Sequence, residues 1–226
     1  MPARPGLVRA DLHSHTMYSP DGVMSPSDII AACLKAGIDC LAVTDHNAIA
    51  GAIGVAMQAP FPVIVGEEVK TSEGEIIGLY LKEAVPKKLS AEETIRLIKE
   101  QGGLVYVPHP FDPLHTTPAY GLLARNAANI DIIEVYNPRI TFTAFNEQAR
   151  RLARKYGIPG GAGSDCHVLQ GVGTAMLSLR KFSSPQELLA SLRGADIIRS
   201  NKSPIYLHSL KLLKNGRDAM GVRPRS

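Results

Sequence analysis

The sequence predicts one α/β domain built around a parallel sheet, and three observations point there. Short apolar runs alternate with amphipathic segments almost to the end of the 226 residues. Helix start and stop signals bracket the amphipathic segments. No Gly/Ser-rich or Pro-rich linker divides the chain, and no repeat of roughly 20–50 residues is visible.

The elements follow in order. Leu7–Ala10 reads as a first strand. Ser25-Pro26-Ser27-Asp28 offers an N-cap, a proline in the first turn and an acid at the third position, and Gly37 supplies the stop. Cys40–Val43, Pro62–Val65 and Ile76–Leu81 are the next strand-like runs. Ser90-Ala91-Glu92-Glu93 predicts a capping box, with Gly102-Gly103 ending that helix. Leu104–Val107 and Ile132–Val135 are further strands. Thr141 to Tyr156 reads as a longer helix with a basic outer face of Arg150, Arg151, Arg154 and Lys155. Ile158–Ala162 and Ala175–Leu179 come next, then a helix started by Ser184-Pro185-Gln186-Glu187, then Ile197–Arg199. Such alternation implies parallel strands joined by right-handed crossovers. Strands this short and apolar on both faces suit a buried sheet, either open and doubly wound or closed as a barrel.

Composition narrows the class of protein. No apolar run nears the roughly 18 residues that would span a bilayer. The N-terminus lacks an apolar stretch behind its charge, so no signal peptide is expected. Three cysteines without a C-x-x-C pair argue against a disulfide framework, and a cytoplasmic location is expected. The net charge of +4 sits in residues 209–226, where Lys211, Lys214, Arg217, Arg223 and Arg225 face only Asp218. The remaining chain is balanced, so the charge reads as a solvated tail rather than a nucleic-acid surface.

Five of the seven histidines sit just beyond a strand-like run, and this favours the barrel. His13 and His15 follow the first run, Asp45-His46 the second, His109 the run at Leu104–Val107, and Asp165-Cys166-His167 the run at Ile158–Ala162. Glu67-Glu68 follows Val63–Val65. His115 and His208 fall outside the pattern and read as turn or surface residues. In parallel α/β folds the C-terminal strand ends open onto one face. Buried together there, these groups would crowd without partners unless they held a cation. Imidazoles and carboxylates without a thiolate cluster suit manganese, iron or zinc, as two or three ions about 3.5–4 Å apart. Such a cluster activates water and neutralises charge on an oxyanion, which phosphate ester hydrolysis needs.

His13-Ser14-His15, Thr44-Asp45-His46, Gly66-Glu67-Glu68, His109-Pro110 and Ser164-Asp165-Cys166-His167 together resemble the successive motifs of the PHP (polymerase and histidinol phosphatase) family. Gly171-Val172-Gly173-Thr174-Ala175 is similar to the C-terminal region of small stand-alone members. The resemblance implies a single domain over 1–208, a distorted seven-stranded (β/α)7 TIM-like barrel, with 209–226 as a basic tail. It implies two or three manganese, iron or zinc ions. His13, His15, Glu68 and Asp165 would form one subsite, with His109 at its neighbour and Asp21, His46 and His167 as further ligands. The family places another ligand near Ile132–Asn137, where this chain offers only Glu134 or Asn137. Asp11 and Asp45 adjoin ligand histidines and would orient them, with Asp45 alternatively touching a metal. Asp165, His167 and Asp45 are the expected catalytic groups. Arg139, Asn137 and Lys70 are the expected substrate contacts, Arg139 as a phosphate clamp.

The expected function is a metal-dependent phosphoesterase acting on a small phosphorylated metabolite or nucleotide. Two alternatives stand beside it: an exonuclease acting on nucleic-acid ends, and a non-catalytic PHP module that binds a partner. With 5% aromatic residues and no Trp, no base-stacking platform is visible in the sequence. Between Leu81 and Leu104 there is room for one helix and not for the lid-like insertion of small PHP nucleotide phosphatases.

Overall fold

A computed structural model of the chain describes residues 6–113, 115, 120–140 and 142–199. The expected tail at 209–226, His208 and the expected domain end at 208 lie outside the described residues.

The first half runs β1 (Leu7–Asp11), α1 (Pro26–Ala36), β2 (Cys40–Val43), α2 (Ala50–Ala56), β3 (Val63–Thr71) and β4 (Gly74–Leu79). Then come α3 (Ala91–Glu100), β5 (Leu104–Val107), α4 (Tyr120–Arg125), β6 (Ile132–Tyr136) and α5 (Thr143–Tyr156). The chain continues through β7 (Gly160–Ala162), β8 (Ala175–Arg180), α6 (Pro185–Leu192) and β9 (Asp196–Arg199). The helix signals act as read at both ends of α1. Ser25 and Asp28 close a reciprocal capping box, and Gly37 ends the helix at φ 69°. At α3, Ser90 Oγ accepts from the Glu93 N–H, but the Glu93 carboxylate turns to Arg96 instead of completing the box.

All nine strands join one sheet in the order β7-β6-β5-β4-β3-β2-β1-β8-β9. This corrects the expectation of seven parallel strands: β4 is antiparallel to both neighbours, and β8 is antiparallel to β1 and β9. The cause at β4 is local. Only Ser72 and Glu73 separate β3 from β4, and Thr71 Oγ1 closes the turn onto the Gly74 carbonyl (2.6 Å). A two-residue loop reverses the chain and leaves no room for a crossover. Because β4 reverses once on each side, β3 and β5 still point the same way. The C-terminal ends of β1, β2, β3, β5, β6 and β7 therefore share one face.

The sheet nearly closes into a barrel through β1. Along Leu7–Ala10 its neighbour is β8; beyond Asp11 it turns to the continuation of β7. Leu12 N–H donates to the Ala162 carbonyl (3.3 Å), Asp165 N–H to the His13 carbonyl (2.8 Å), and His15 N–H to the Cys166 carbonyl (3.0 Å). Alternation sorts the strand residues into separate cores. Cys40 and Ala42 pack with Ala10, Leu12, Tyr106 and Ile132, whereas Leu41 and Val43 pack under α1 and α2 with Ile29 and Val55. A third cluster, with Ile98, Val107, Val135 and Leu152, lies under α3 and α5. Cys33, Cys40 and Cys166 are buried free thiols. Among the described residues, no helix is long and apolar enough to cross a membrane.

Candidate metal centre

The histidines gather because the ends of β1 and β7 are stitched together. Asp11 Oδ1 accepts from the N–H of His13 (3.2 Å) and of Ser164 (2.9 Å), so it positions the His13 backbone rather than its ring. Gly163 lets the two segments touch. A Cβ there would lie 2.2 Å from His13 Cβ, closer than any real contact. Asp165 and His109 adopt positive φ, 49° and 28°, a conformation that only surrounding contacts sustain.

His13 and His15 meet at the strand end, with their Nε2 atoms 3.1 Å apart. Glu68 lies at the middle of the group. Its Oε2 is 3.3 Å from His13 Nε2, His15 Nε2 and His46 Nδ1, and its Oε1 is 2.9 Å from His109 Nε2. Asp165 Oδ1 lies 3.4 Å from His15 Nε2. Asp21 faces His167 Nε2 (3.2 Å) and His46 Nε2 (3.7 Å). Every residue expected as a ligand is thus brought to one place, and all but Asp21 and His46 are buried.

The surroundings set the proton positions. Glu134 is buried on β6 and accepts four hydrogen bonds. Its Oε1 takes His13 Nδ1–H and the Tyr106 hydroxyl, both at 3.0 Å. Its Oε2 takes the His109 N–H (2.7 Å) and Asn137 Nδ2–H (3.0 Å). Ser19 Oγ donates to Asp45 Oδ1 (2.9 Å), so it accepts from His15 Nδ1–H (3.0 Å). Both Nε2 atoms are then lone-pair ends facing each other, an arrangement that needs a proton or a cation between them. Burial opposes protonation of His13, yet Glu134, Asp165 and Glu68 hold its pKa well above the ordinary value. Burial likewise opposes His15, but hydrogen bonds to Asp165 and Glu68 raise it to about 9. Glu68 and Asp165 stay ionised. Burial would raise both, but His13 and His46 hold Glu68 well below its ordinary range, and Arg139 and His13 do the same for Asp165.

Three of the other expected residues turn inward, and a fourth stays exposed. Asp45 spends both oxygens on the loop after β1, accepting from Thr16 N–H (2.6 Å), Thr16 Oγ1–H (2.6 Å) and Ser19 Oγ–H. It is fully buried beside that loop. Arg139 is buried, with Nη1 against Asp165 Oδ1 (2.8 Å) and His167 Nδ1 (2.7 Å), bracing ligands where a phosphate clamp was expected. Asn137 donates to Glu134 and to Asp165 Oδ2 (3.2 Å) and accepts from the Arg139 N–H (2.9 Å), which turns it inward also. Lys70 is exposed on β3, on the same face as Glu68 and directly opposite Glu75.

Two site residues escaped sequence reading. Glu75 enters on β4, because the hairpin folds back beside Glu68. Burial and the charge of Glu68 push its pKa up to about 7. His115 was read as a turn residue. Its ring stacks on His109 (centroids 4.3 Å apart), and its Nε2 lies 3.6 Å from Asp165 Oδ2.

The donor set fits transition-metal ions. Among the described residues, four trios hold ligating atoms within 4.8 Å of one another: His15, His46, His167; His13, His15, Glu68; His13, His109, Asp165; and His46, Glu68, Glu75. Nitrogen and carboxylate oxygen without sulfur suit manganese, iron or zinc, and overlapping trios can share bridging carboxylates.

The sequence profile of a family described as PHP domain matches residues 11–107, and one described as PHP-associated matches 143–197. An uncharacterised protein of Methanocaldococcus jannaschii is 37% identical over 163 residues, covering 66% of this chain and 95% of that protein. A solved two-domain protein of Bacteroides vulgatus, described as containing a PHP-like metal-dependent phosphoesterase, superposes with TM-score 0.73. It is 17% identical and covers 88% of this chain and 67% of that one. A lesion-specific endonuclease of Pyrococcus furiosus superposes with TM-score 0.60 at 16% identity, covering 84% and 57%. At such identities the structural likeness is one of fold.

Proposed function

Because this chain belongs to the PHP domain family, we propose that it is a metal-dependent hydrolase of phosphate esters. His13, His15, Asp21, His46, Glu68, His109, Asp165 and His167 would hold two or three ions of manganese, iron or zinc. The single observation that carries the reading is the pair of opposed Nε2 lone pairs of His13 and His15, 3.1 Å apart, with the ionised Glu68 and Asp165 beside them. Bound divalent ions supply Lewis acidity, lowering the pKa of water and neutralising charge on phosphoryl oxygens. Glu134 and the Asp45–Ser19 pair keep His13 and His15 in the tautomer that offers Nε2. Arg139 keeps Asp165 ionised and in place. Asp165 and His167 would be the protein groups to serve a leaving oxygen. Lys70, exposed on the Glu68 face of β3, would meet the substrate anion.

The leading substrate class is a small phosphorylated metabolite or nucleotide. A second class, nucleic-acid ends, is favoured by one observation. Met17 and Tyr18, on the loop between His15 and Asp21, are 57% and 50% exposed, a surface on which a base can stack. The manganese-loaded protein is assayed on phosphate monoesters, on bis(p-nitrophenyl) phosphate and on end-labelled oligonucleotides. Turnover of monoesters unaffected by Tyr18→Ala supports the first class. Oligonucleotide cleavage that weakens with Tyr18→Ala and with salt supports the second. No turnover of any ester by fully metallated protein would refute the enzymatic reading and leave a partner-binding module.

A further inference from the structure

The subsite around His109 is short of protein donors. His109 Nε2 is paired with Glu68 Oε1, and His109, His13 and Asp165 offer atoms within 4.8 Å of one another. His13, Glu68 and Asp165 also serve the His15 side, so His109 is the one group dedicated to this subsite. A transition ion seeks four to six donors. The strand behind supplies none: Glu134 already accepts four hydrogen bonds, and Asn137 is committed through both its nitrogen and its oxygen.

One further imidazole reaches this place from the loop after β5. The His115 ring lies over His109 at 4.3 Å and 29°, and its Nε2 faces Asp165 Oδ2 at 3.6 Å. Its other nitrogen, Nδ1, is 3.2 Å from Oδ2 of Asp112, a buried carboxylate three residues earlier. With the Asp112 carboxylate beside Nδ1, Nε2 is the nitrogen left facing Asp165, the arrangement in which histidines ligate metals. Among the described histidines outside the expected ligand set, His115 stands alone, and it points the same way as that set.

We propose that His115 is a metal ligand, completing the subsite of His109 and Asp165, and that Asp112 orients it. The inference rests on the metal-dependent reading above and deepens it.

The test is metal content and affinity in the full chain, independent of turnover. Wild type, His115→Ala, His115→Gln and Asp112→Asn are loaded with zinc or cobalt, freed of unbound ion by gel filtration and analysed for metal per chain. The expected result is that both His115 variants lose one ion, or bind their weakest ion on the order of 10–100-fold less tightly, with an altered visible spectrum in the cobalt forms. Asp112→Asn, which keeps the ring but not its carboxylate, is expected to keep stoichiometry and weaken the same ion by on the order of tenfold. Glutamine preserves bulk, so one His115 variant remains readable if alanine unsettles the loop. His115 variants with wild-type content, affinity and cobalt spectrum overturn the inference. Wild-type protein that retains no ion at all fails the metal-dependent reading itself, a distinct result.

Discussion

Glu134→Gln is the most informative single substitution, because it changes one proton and almost no volume. The carboxylate accepts from His13 Nδ1 and Tyr106 on Oε1 and from His109 N–H and Asn137 on Oε2. An amide can satisfy only one of these pairs with its oxygen. The His109 N–H and the Asn137 amide have no choice of role, so the glutamine oxygen stays with them and its NH2 turns to His13 and Tyr106. The Tyr106 hydroxyl can rotate and accept. His13 can accept only by moving its proton from Nδ1 to Nε2, the atom that faces His15 and Glu68. The lost hydrogen bond to a charged acceptor costs about 1.5–3 kcal/mol of stability. The wrong tautomer lowers metal affinity on the order of 10–100-fold, which is about 1.4–2.7 kcal/mol. Glu134 is also the largest of the groups that raise the His13 pKa, so that pKa falls in the metal-free variant. Calorimetric titration with manganese or zinc measures the affinity, and nitrogen-15 NMR of the imidazoles reads the tautomer directly. An unchanged affinity with the proton still on Nδ1 would refute the reasoning. Loss of one whole ion at unchanged affinity for the others would instead make Glu134 a ligand.

Three other outcomes are expected. Gly163→Ala places a Cβ 2.2 Å from His13 Cβ and 2.6 Å from its backbone N; it should cost about 1–3 kcal/mol and lower Tm by several degrees, with weakened metal binding, and a wild-type melting curve contradicts this. Glu67 is fully buried, its pKa pushed up to about 7 from 4.5 by burial. Its carboxyl penalty is therefore absent below pH 4.5, grows as pH rises towards 7 and is complete above it, so Glu67→Gln gains nothing at pH 4 and about 3 kcal/mol at pH 8 in urea unfolding. Equal gains at both pH values would exclude burial as the cause. His15, raised to about 9 without metal, must release its proton on binding, so apparent metal affinity should climb about tenfold per pH unit between pH 6 and 8. Affinity flat across that range, followed with a metal-indicator dye, shows that no proton is displaced.

Much of this was legible in the chain because strand ends announce themselves. An apolar run followed by His or an acid places a ligand on a predictable face, and period-2 alternation makes His13 and His15 neighbours without knowledge of the rest. Helix caps such as Ser25 and Gly37 are equally local. What the chain did not disclose either lacked a local signal or depends on partners distant in sequence. The two-residue turn at Ser72-Glu73 that reverses β4 carries no Asn-Gly or Asp-Gly signal, so the hairpin, and Glu75 with it, went unseen. His115 follows no strand-like run, and only the path of the loop after β5 brings it over His109.

The sequence by itself determined the donor chemistry, the α/β class and the face on which the donors converge, since these follow from residue type and short-range period. Tertiary structure alone decided which partners each side chain meets. Asp45, Arg139 and Asn137 carry groups that suit metal, phosphate or substrate equally well. In the fold their hydrogen-bonding atoms meet Thr16 and Ser19, Asp165 and His167, and Glu134. A side chain's task is set by which partners reach its polar atoms first, and those partners lie up to 29 residues away along the chain.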